Sequence, residues 1–341
     1  MKYDVTIGIP MYNVENYIER TMLSALSQTY PSIEYLVLDD GSDDSTLEVV
    51  RHLQESHPRG NDIHIITHAE NMGVSMARNR ISEEAQGDFL YFLDSDDIIR
   101  EDTISLMMAE VKEHGADIVF GSMEKIMISG ERTMYQYPKM HFHQVDDFAS
   151  FSYRRYAGIQ ASACNFMVRL SIIRENGLSF YKSNYWEDFV FVLDLVTYID
   201  KAVLLSDITY TYICRQNSLS NFQKREIIEK DEILRNVGVA EYMKSGCLRL
   251  KDKPYFPLRC YVAVMTDFYI ACHILKHQKD IVPSFSDHEI KELFTHPASF
   301  CQISSFRQTR VKNMALYFIG KLPAPLCVIT IWMMGKIKKL I

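Results

Sequence analysis

No two of the seven cysteines form a C-x-x-C pair, and their number is odd (164, 214, 247, 260, 272, 301 and 327). That argues against a disulfide framework and a zinc site, and fits a reducing compartment such as the cytoplasm. No run of 18 apolar residues occurs, so no transmembrane helix is expected. The opening MKYDVTIGIP reaches Asp4 without an apolar h-region, so no signal peptide is expected. Basic charge is in deficit: 37 Lys and Arg against 44 Asp and Glu leave a net charge of −7. A general nucleic-acid binder would carry the opposite balance. Acidic residues stop at Glu292, and the last 49 residues hold seven Lys or Arg, so the tail is about +7 on a body of about −14. Internal repeats and low-complexity stretches are also missing.

What is present is a chain of 341 residues, 47% hydrophobic, enough for one large domain and an appendage. Short β-rich runs occupy 5–9, 33–38, 63–67, 88–93 and 117–121. Helical patterns lie between them. Val14, Ile18, Met22, Ala25 and Leu26 share one helical face, and further helices are expected over 44–56, 74–85 and 101–114. This alternation predicts an α/β fold with a mostly parallel sheet, covered on both faces. Ligands of such sheets bind beyond the carboxyl ends of the strands. There lie PMYN (10–13), DDGSDDST (39–46) and DSDD (94–97), three polar clusters on one edge.

Residues 122–160 read as strands or a flap. A helix is expected over 186–199, with Phe189, Val192, Leu193 and Val196 on one face, and then a β run from 202 that ends in a polar turn. From about 224 the pattern is helical, near 224–244, 256–277 and 286–295, with a mixed segment at 302–339. The expected division is a catalytic domain at 1–220 and a helical extension at 221–341.

Asp94, Asp96 and Asp97 crowd three carboxylates behind a buried strand. Part of that charge suits the N-terminus of the next helix. An EF-hand is excluded, because counting from Asp94 puts Ile99 where glycine is needed and Ser105 where glutamate is needed. Mg²⁺ or Mn²⁺, held by one or two carboxylates and substrate phosphates, fits better. Gly41 allows a turn with positive φ. Ser42 reads as a helix cap, which leaves Asp39 and Asp40 free to accept hydrogen bonds from a nucleotide. In ENMGVSMARN (70–79), Arg78 offers a planar fork suited to phosphate or a plain surface residue. Glu187 and Asp188 read on their own as an N-terminal box of the helix at 186–199. His64, His68, His141 and His143 show no ligand spacing with the acidic clusters and read as structural or exposed.

The motifs IGIPMYN, LDDGSDDST, NMGVSMARN, YFLDSDD and WEDFVF, in this order and spacing, resemble the family 2 glycosyltransferases with a GT-A fold. The resemblance is strong over 4–121, thinner to about 220 and absent beyond. It implies a nucleotide-diphospho-sugar donor, usually a UDP-sugar, and a Mn²⁺ or Mg²⁺ ion. Pro10, Tyr12 and Asn13 would line the base and ribose pocket, and Asp40 with Asp39 would contact the base. Arg78 would face the diphosphate. Asp94, Ser95 and Asp96 would form the D-x-D element, with Asp96 or Asp97 on the metal. Asp188 would be the general base of an inverting transfer and Glu187 an acceptor-binding or orienting partner. Arg215, with Ser218 and Ser220, would belong to a loop that closes over the diphosphate or to a plain surface turn.

The acceptor implied is a saccharide or lipid-linked saccharide, as in bacterial surface-polysaccharide assembly. The apolar stretch from Leu322 to Met334, interrupted by Pro323 and Pro325 and followed by Lys336, Lys338 and Lys339, reads as a peripheral membrane anchor at the inner face or as a docked helix. Two other classes stay in view. A nucleotidyltransferase would carry a basic, glycine-rich loop after the first strand, where PMYNVENY has no Lys or Arg. A non-catalytic nucleotide-sugar binder would dispense with Asp188.

Overall fold

The computed structural model describes residues 3–154, 159–183, 186–215 and 227–341. Two compact units divide the chain: 1–148 with 161–222, and 149–160 with 223–341.

The first unit is built on β1 (Tyr3–Met11), α1 (Ile18–Leu26), β2 (Ile33–Asp39), α2 (Thr46–Ser56), β3 (Ile63–Thr67), α3 (Val74–Glu84) and β4 (Gly87–Phe92). It continues with β5 (Ile98–Ile99), α4 (Thr103–His114), β6 (Ile118–Ile126), β7 (Arg132–Tyr135) and β8 (Met140–Phe142). Helix α5 (Asp147–Arg154) comes next in the chain, most of it belonging to the second unit, and the first unit resumes with β9 (Phe166–Arg169), α6 (Leu170–Glu175), α7 (Glu187–Leu195) and β10 (Ala202–Ile213). The strand order is β3-β2-β1-β4-β9-β6-β10-β5, with β7 beside β6 and β8 beside β10. Strands β3, β2, β1 and β4 run parallel, and β6 and β10 run parallel to each other.

The expected α/β fold with a mostly parallel sheet is present, and buried Ile, Val and Tyr of β1 and β2 pack with Ile18, Met22 and Ala25 of α1. The alternation of 1–121 did not disclose β9. This strand inserts antiparallel between β4 and β6, so the sheet is mixed at its centre. Helix α1 also begins at Ile18, four residues after the apolar pattern starts. Residues 13–15 are instead stitched to the loop after β2. Asn13 N donates to Ser42 Oγ, Val14 N to Thr46 Oγ1 and Glu15 N to Asp44 Oδ2, and Asn13 itself sits at φ 50°. Hydroxyl and carboxylate acceptors from the loop after β2 thus satisfy N–H groups that the start of a helix leaves without an intrahelical partner.

The second unit contains α8 (Lys230–Ser245), α9 (Phe256–Lys276), α10 (Asp287–Glu292), α11 (Phe300–Ser305), α12 (Arg310–Lys321) and α13 (Ala324–Ile337). A short parallel pair, β11 (Ile228–Glu229) and β12 (Ile281–Val282), accompanies them. Helix α9 is long and apolar enough to cross a bilayer by composition, but 78% of its apolar window is buried within the fold. Its Asp267 carboxylate meets Lys244 Nζ at 2.8 Å, so the unit's core carries a paired charge. The mixed segment 302–339 resolves into three helices, broken at 306–309 and at Pro323, where proline begins a new helix.

Candidate active site

Three loops converge at the carboxyl edge of the sheet. Gly41, after β2, takes φ 77°, and a Cβ there would stand 2.9 Å from the Glu70 backbone, so this turn requires glycine. Asp39 Oδ1 accepts from Ser42 N at 3.3 Å. Asp40 is buried, and its carboxylate fastens the segment before α3: Oδ1 pairs with His68 Nδ1 (2.6 Å) and accepts from Met72 N (3.0 Å), and Oδ2 accepts from Gly73 N (2.8 Å). Asp40, expected to contact a base, here engages both oxygens with this loop. His68, read as structural or exposed, is the side-chain partner in this brace. Pro10 is buried at the end of β1, while Tyr12 is 44% exposed on the edge. Asn13 accepts from Asp43 N.

Arg78 is the hub. Helix α3 buries it to 3% exposure, and Phe180 lies under its guanidinium at 5.5 Å. Nη2 donates to Asp94 Oδ1 at 2.9 Å, and Nη1 donates to Asp188 Oδ1 at 2.5 Å and to Glu187 Oε1 at 3.4 Å. Arg78 was expected to face a diphosphate. Its terminal nitrogens instead bind three carboxylates from two distant stretches of chain. Burial alone would lower the guanidinium's proton affinity, but Asp188 and Asp94 outweigh it and hold the group firmly charged.

The same face of α3 fixes the segment that carries Glu187 and Asp188. Asn79 exchanges two hydrogen bonds with the Phe180 backbone (2.9 and 2.7 Å), and Ser75 Oγ donates to Ser183 O at 3.0 Å. Phe180 stacks on Phe191 of α7 at 3.9 Å. Positions 75, 78 and 79 are thus the i, i+3 and i+4 set of one helix face. Burial pushes the Glu187 carboxyl up to about 7, with the Asp188 charge adding to it and Arg78 opposing. Asp188 is likewise raised, first by burial, against the pull of Arg78. Trp186 precedes α7 with φ 69° and meets Phe189 edge-on.

In the DSDD cluster the three carboxylates separate. Asp97 turns inward with no exposure, where Oδ2 accepts from Tyr210 Oη (2.6 Å) and Oδ1 from Ile213 N (2.7 Å). Asp97, expected as the alternative to Asp96 on the metal, here has both oxygens bracing β10. Asp94 and Asp96 remain half-exposed. Burial and then the Asp94 charge raise the Asp96 carboxyl, which Arg215 Nε opposes by an ion pair. Two crowded oxygen donors of this kind fit a hard divalent cation. Ser95 is buried, and its carbonyl, with that of Asp97, accepts from Thr21 Oγ1. Arg215 also lies 5.0 Å over the Tyr17 ring. Ser218 and Ser220 lie outside the described residues.

Sequence reasoning missed Thr21, His68, Cys164 and Tyr210 at this site. Thr21 left a signal, a polar residue seven positions after Val14 on the apolar face of α1. Cys164, whose buried thiol hydrogen-bonds Asp94, left none.

The profile described as "Glycosyl transferase family 2" matches residues 6–177. Among curated relatives, glycosyltransferase GlyA of Streptococcus pneumoniae is 36% identical over 118 residues, 35% of this chain and 16% of its own length. The uncharacterized glycosyltransferase YibD of Escherichia coli is 21% identical over 324 residues, 93% of this chain and 92% of its own. The chain spans less than half the length of the first curated relatives that it matches. Crystallised TarS 1–349 of S. aureus, in complex with UDP-GlcNAc, superposes with a TM-score of 0.62 at 18% identity, covering 93% of this chain and 90% of that one. That likeness concerns the fold alone, which is GT-A. The profile covers half the chain, and the chain belongs to glycosyl transferase family 2.

Proposed function

We propose that this chain is an inverting glycosyltransferase that moves a sugar from a UDP-sugar to a hydroxyl of a saccharide or lipid-linked saccharide, in the assembly of a bacterial surface polysaccharide. The observation that carries the reading is the Arg78 hub, which gathers Asp94, Glu187 and Asp188 from distant stretches onto one sheet edge. Family membership and a UDP-GlcNAc complex of a protein with the same fold support the donor class.

Asp188 takes the proton of the acceptor hydroxyl as that oxygen attacks the anomeric carbon and the bond to the nucleotide diphosphate breaks. A single displacement needs no covalent enzyme intermediate. A base raised above the ordinary carboxylate range is better matched to neutral pH than a free aspartate. Glu187 orients the acceptor. Asp94 and Asp96 would hold Mn²⁺ or Mg²⁺, which supplies charge neutralisation at the leaving diphosphate. Arg215 closes this end of the site. In a nucleotide-sugar panel with Mn²⁺ or Mg²⁺, a UDP-sugar is expected to raise Tm most and to be consumed with an acceptor. Stabilisation without turnover on any acceptor would favour a non-catalytic binder.

The tail supports a second part of the proposal, a peripheral membrane contact. One face of α13 packs inward through Cys327, Ile331 and Gly335, while Leu326, Ile329, Trp332, Met333 and Ile337 stay exposed beside Lys336, Lys338 and Lys339. Apolar side chains next to lysines suit an anionic lipid interface. Ile329→Ser with Met333→Ser is expected to weaken binding to anionic vesicles by at least about tenfold, since each buried side chain contributes roughly 1.5–3 kcal/mol. Unchanged co-sedimentation would remove the membrane from the proposal.

A further inference from the structure

A cluster of nitrogen and oxygen ligands lies at the opposite edge of the same sheet. Strands β6 and β10 begin together, with Ala202 beside Ile118, and β8 pairs with that beginning through Phe142–Ala202 and Met140–Leu204. The last turn of α4 ends there too, just before β6. Glu110 and His114 are four apart on α4 and share a helix face. His141 and His143 are two apart at the end of β8 and point to the same side.

The ligand atoms of Glu110, His114 and His141 all lie within 4.8 Å of one another. Glu110 Oε2 is 3.2 Å from His141 Nε2 and 3.4 Å from His114 Nε2. Ligands about 2.0–2.1 Å from a tetrahedral zinc stand about 3.3 Å from each other, so these separations are tetrahedral edges as well as hydrogen-bond lengths. Lys139 Nζ holds the other oxygen, Oε1, at 2.7 Å, an outer partner that orients the carboxylate. The His143 ring lies 6.0 Å from both other imidazoles, near enough for a fourth ligand after a side-chain rotation.

We propose that Glu110, His114 and His141 form a site for a borderline transition-metal ion of the Zn²⁺ class, with His143 or water as the fourth ligand. Two imidazoles and one carboxylate select such an ion over Mg²⁺ or Mn²⁺, which prefer all-oxygen shells. The bound ion ties α4 to β8 and so secures the β7–β8 segment against the start of β10. The absence of paired cysteines does not bear on it, because the ligands are His and Glu. Their sequence separation, 110 and 114 against 141, hides the set from spacing rules. This inference does not depend on the sugar-transfer reading.

The full chain, freed of metal with EDTA, is titrated with Zn²⁺ against a chromophoric chelator. Wild type is expected to bind one equivalent that raises Tm and that Asp96→Ala does not remove. His114→Gln with His141→Gln is expected to weaken that equivalent by at least roughly tenfold, the lower bound for loss of even an outer partner. Equal zinc affinity in wild type and double variant overturns the proposal. Co²⁺ in the wild type supplies a reading that needs no variant. Visible bands of a tetrahedral N/O site support the proposal, and an octahedral aqua-like spectrum sinks it.

Discussion

Asp188→Asn is expected to slow sugar transfer by about 10²–10⁴-fold, the usual contribution of a positioned general base. UDP affinity should be unchanged. The substitution keeps the size of the side chain and a hydrogen-bond acceptor for Arg78 Nη1, which donates to Asp188 Oδ1 at 2.5 Å. It removes the lone-pair basicity that the acceptor hydroxyl needs. The pH dependence gives a second reading. Burial raises Asp188, and the neighbouring Glu187 lies at about 7. Transfer requires the ionised base, so activity should rise with pH along a limb displaced above the ordinary carboxylate range. That limb should be missing from whatever activity Asp188→Asn retains. Turnover of the variant close to wild type would move the base elsewhere. Parallel loss of UDP binding, measured by calorimetry, would show that the change had disordered the Arg78 cluster instead. Glu187→Gln should act mainly on the acceptor KM, as fits a residue that orients.

Much of the sheet was legible because its strands are short, apolar and separated by helical periods. The expected runs at 33–38 and 63–67 match β2 and β3 to within one residue. The edge that gathers the polar clusters follows from parallel strands alone. Strand β9 was not legible. Phe166–Arg169 is four residues long, and its antiparallel place between β4 and β6 depends on the long excursion through 122–160.

At the site, residue type announced chemistry but not partnership. Aspartates 40, 94, 96 and 97 look alike in sequence. Burial and local donors then divide them: Asp40 fastens the segment before α3, Asp97 fastens β10, and Asp94 and Asp96 remain half-exposed. The donors that decide this are backbone N–H groups and a tyrosine 113 positions from Asp97, and no spacing rule reaches that far. Arg78 shows the same limit. A planar cation suits phosphate and carboxylate equally, and only the fold, by bringing α7 against α3, supplies carboxylates first.

Arg78→Met is expected to cost the first unit about 3–5 kcal/mol near neutral pH, the usual penalty for removing one partner of a buried ion cluster. Methionine keeps the apolar contact with Phe180, so the loss isolates charge rather than packing. Among the described residues, Asp94, Glu187 and Asp188 would then share no common cation. They escape by taking up protons, so their folded-state pKa values climb further while the unfolded values stay at about 4. Between those limits the folded state binds more protons than the unfolded one, and stability falls as pH rises. The deficit measured by urea unfolding should therefore be larger at about pH 8 than at about pH 5.5. Arg78→Lys keeps the charge but, as a point donor, cannot span partners on both sides of the fork, and an intermediate deficit is expected. Transfer should fall steeply in both variants, because misplacing a catalytic group by about 1 Å costs on the order of a hundredfold. A deficit that does not change with pH would mean that the three carboxylates do not rely on Arg78. Full recovery by lysine would mean that charge alone, without the fork, holds the site together.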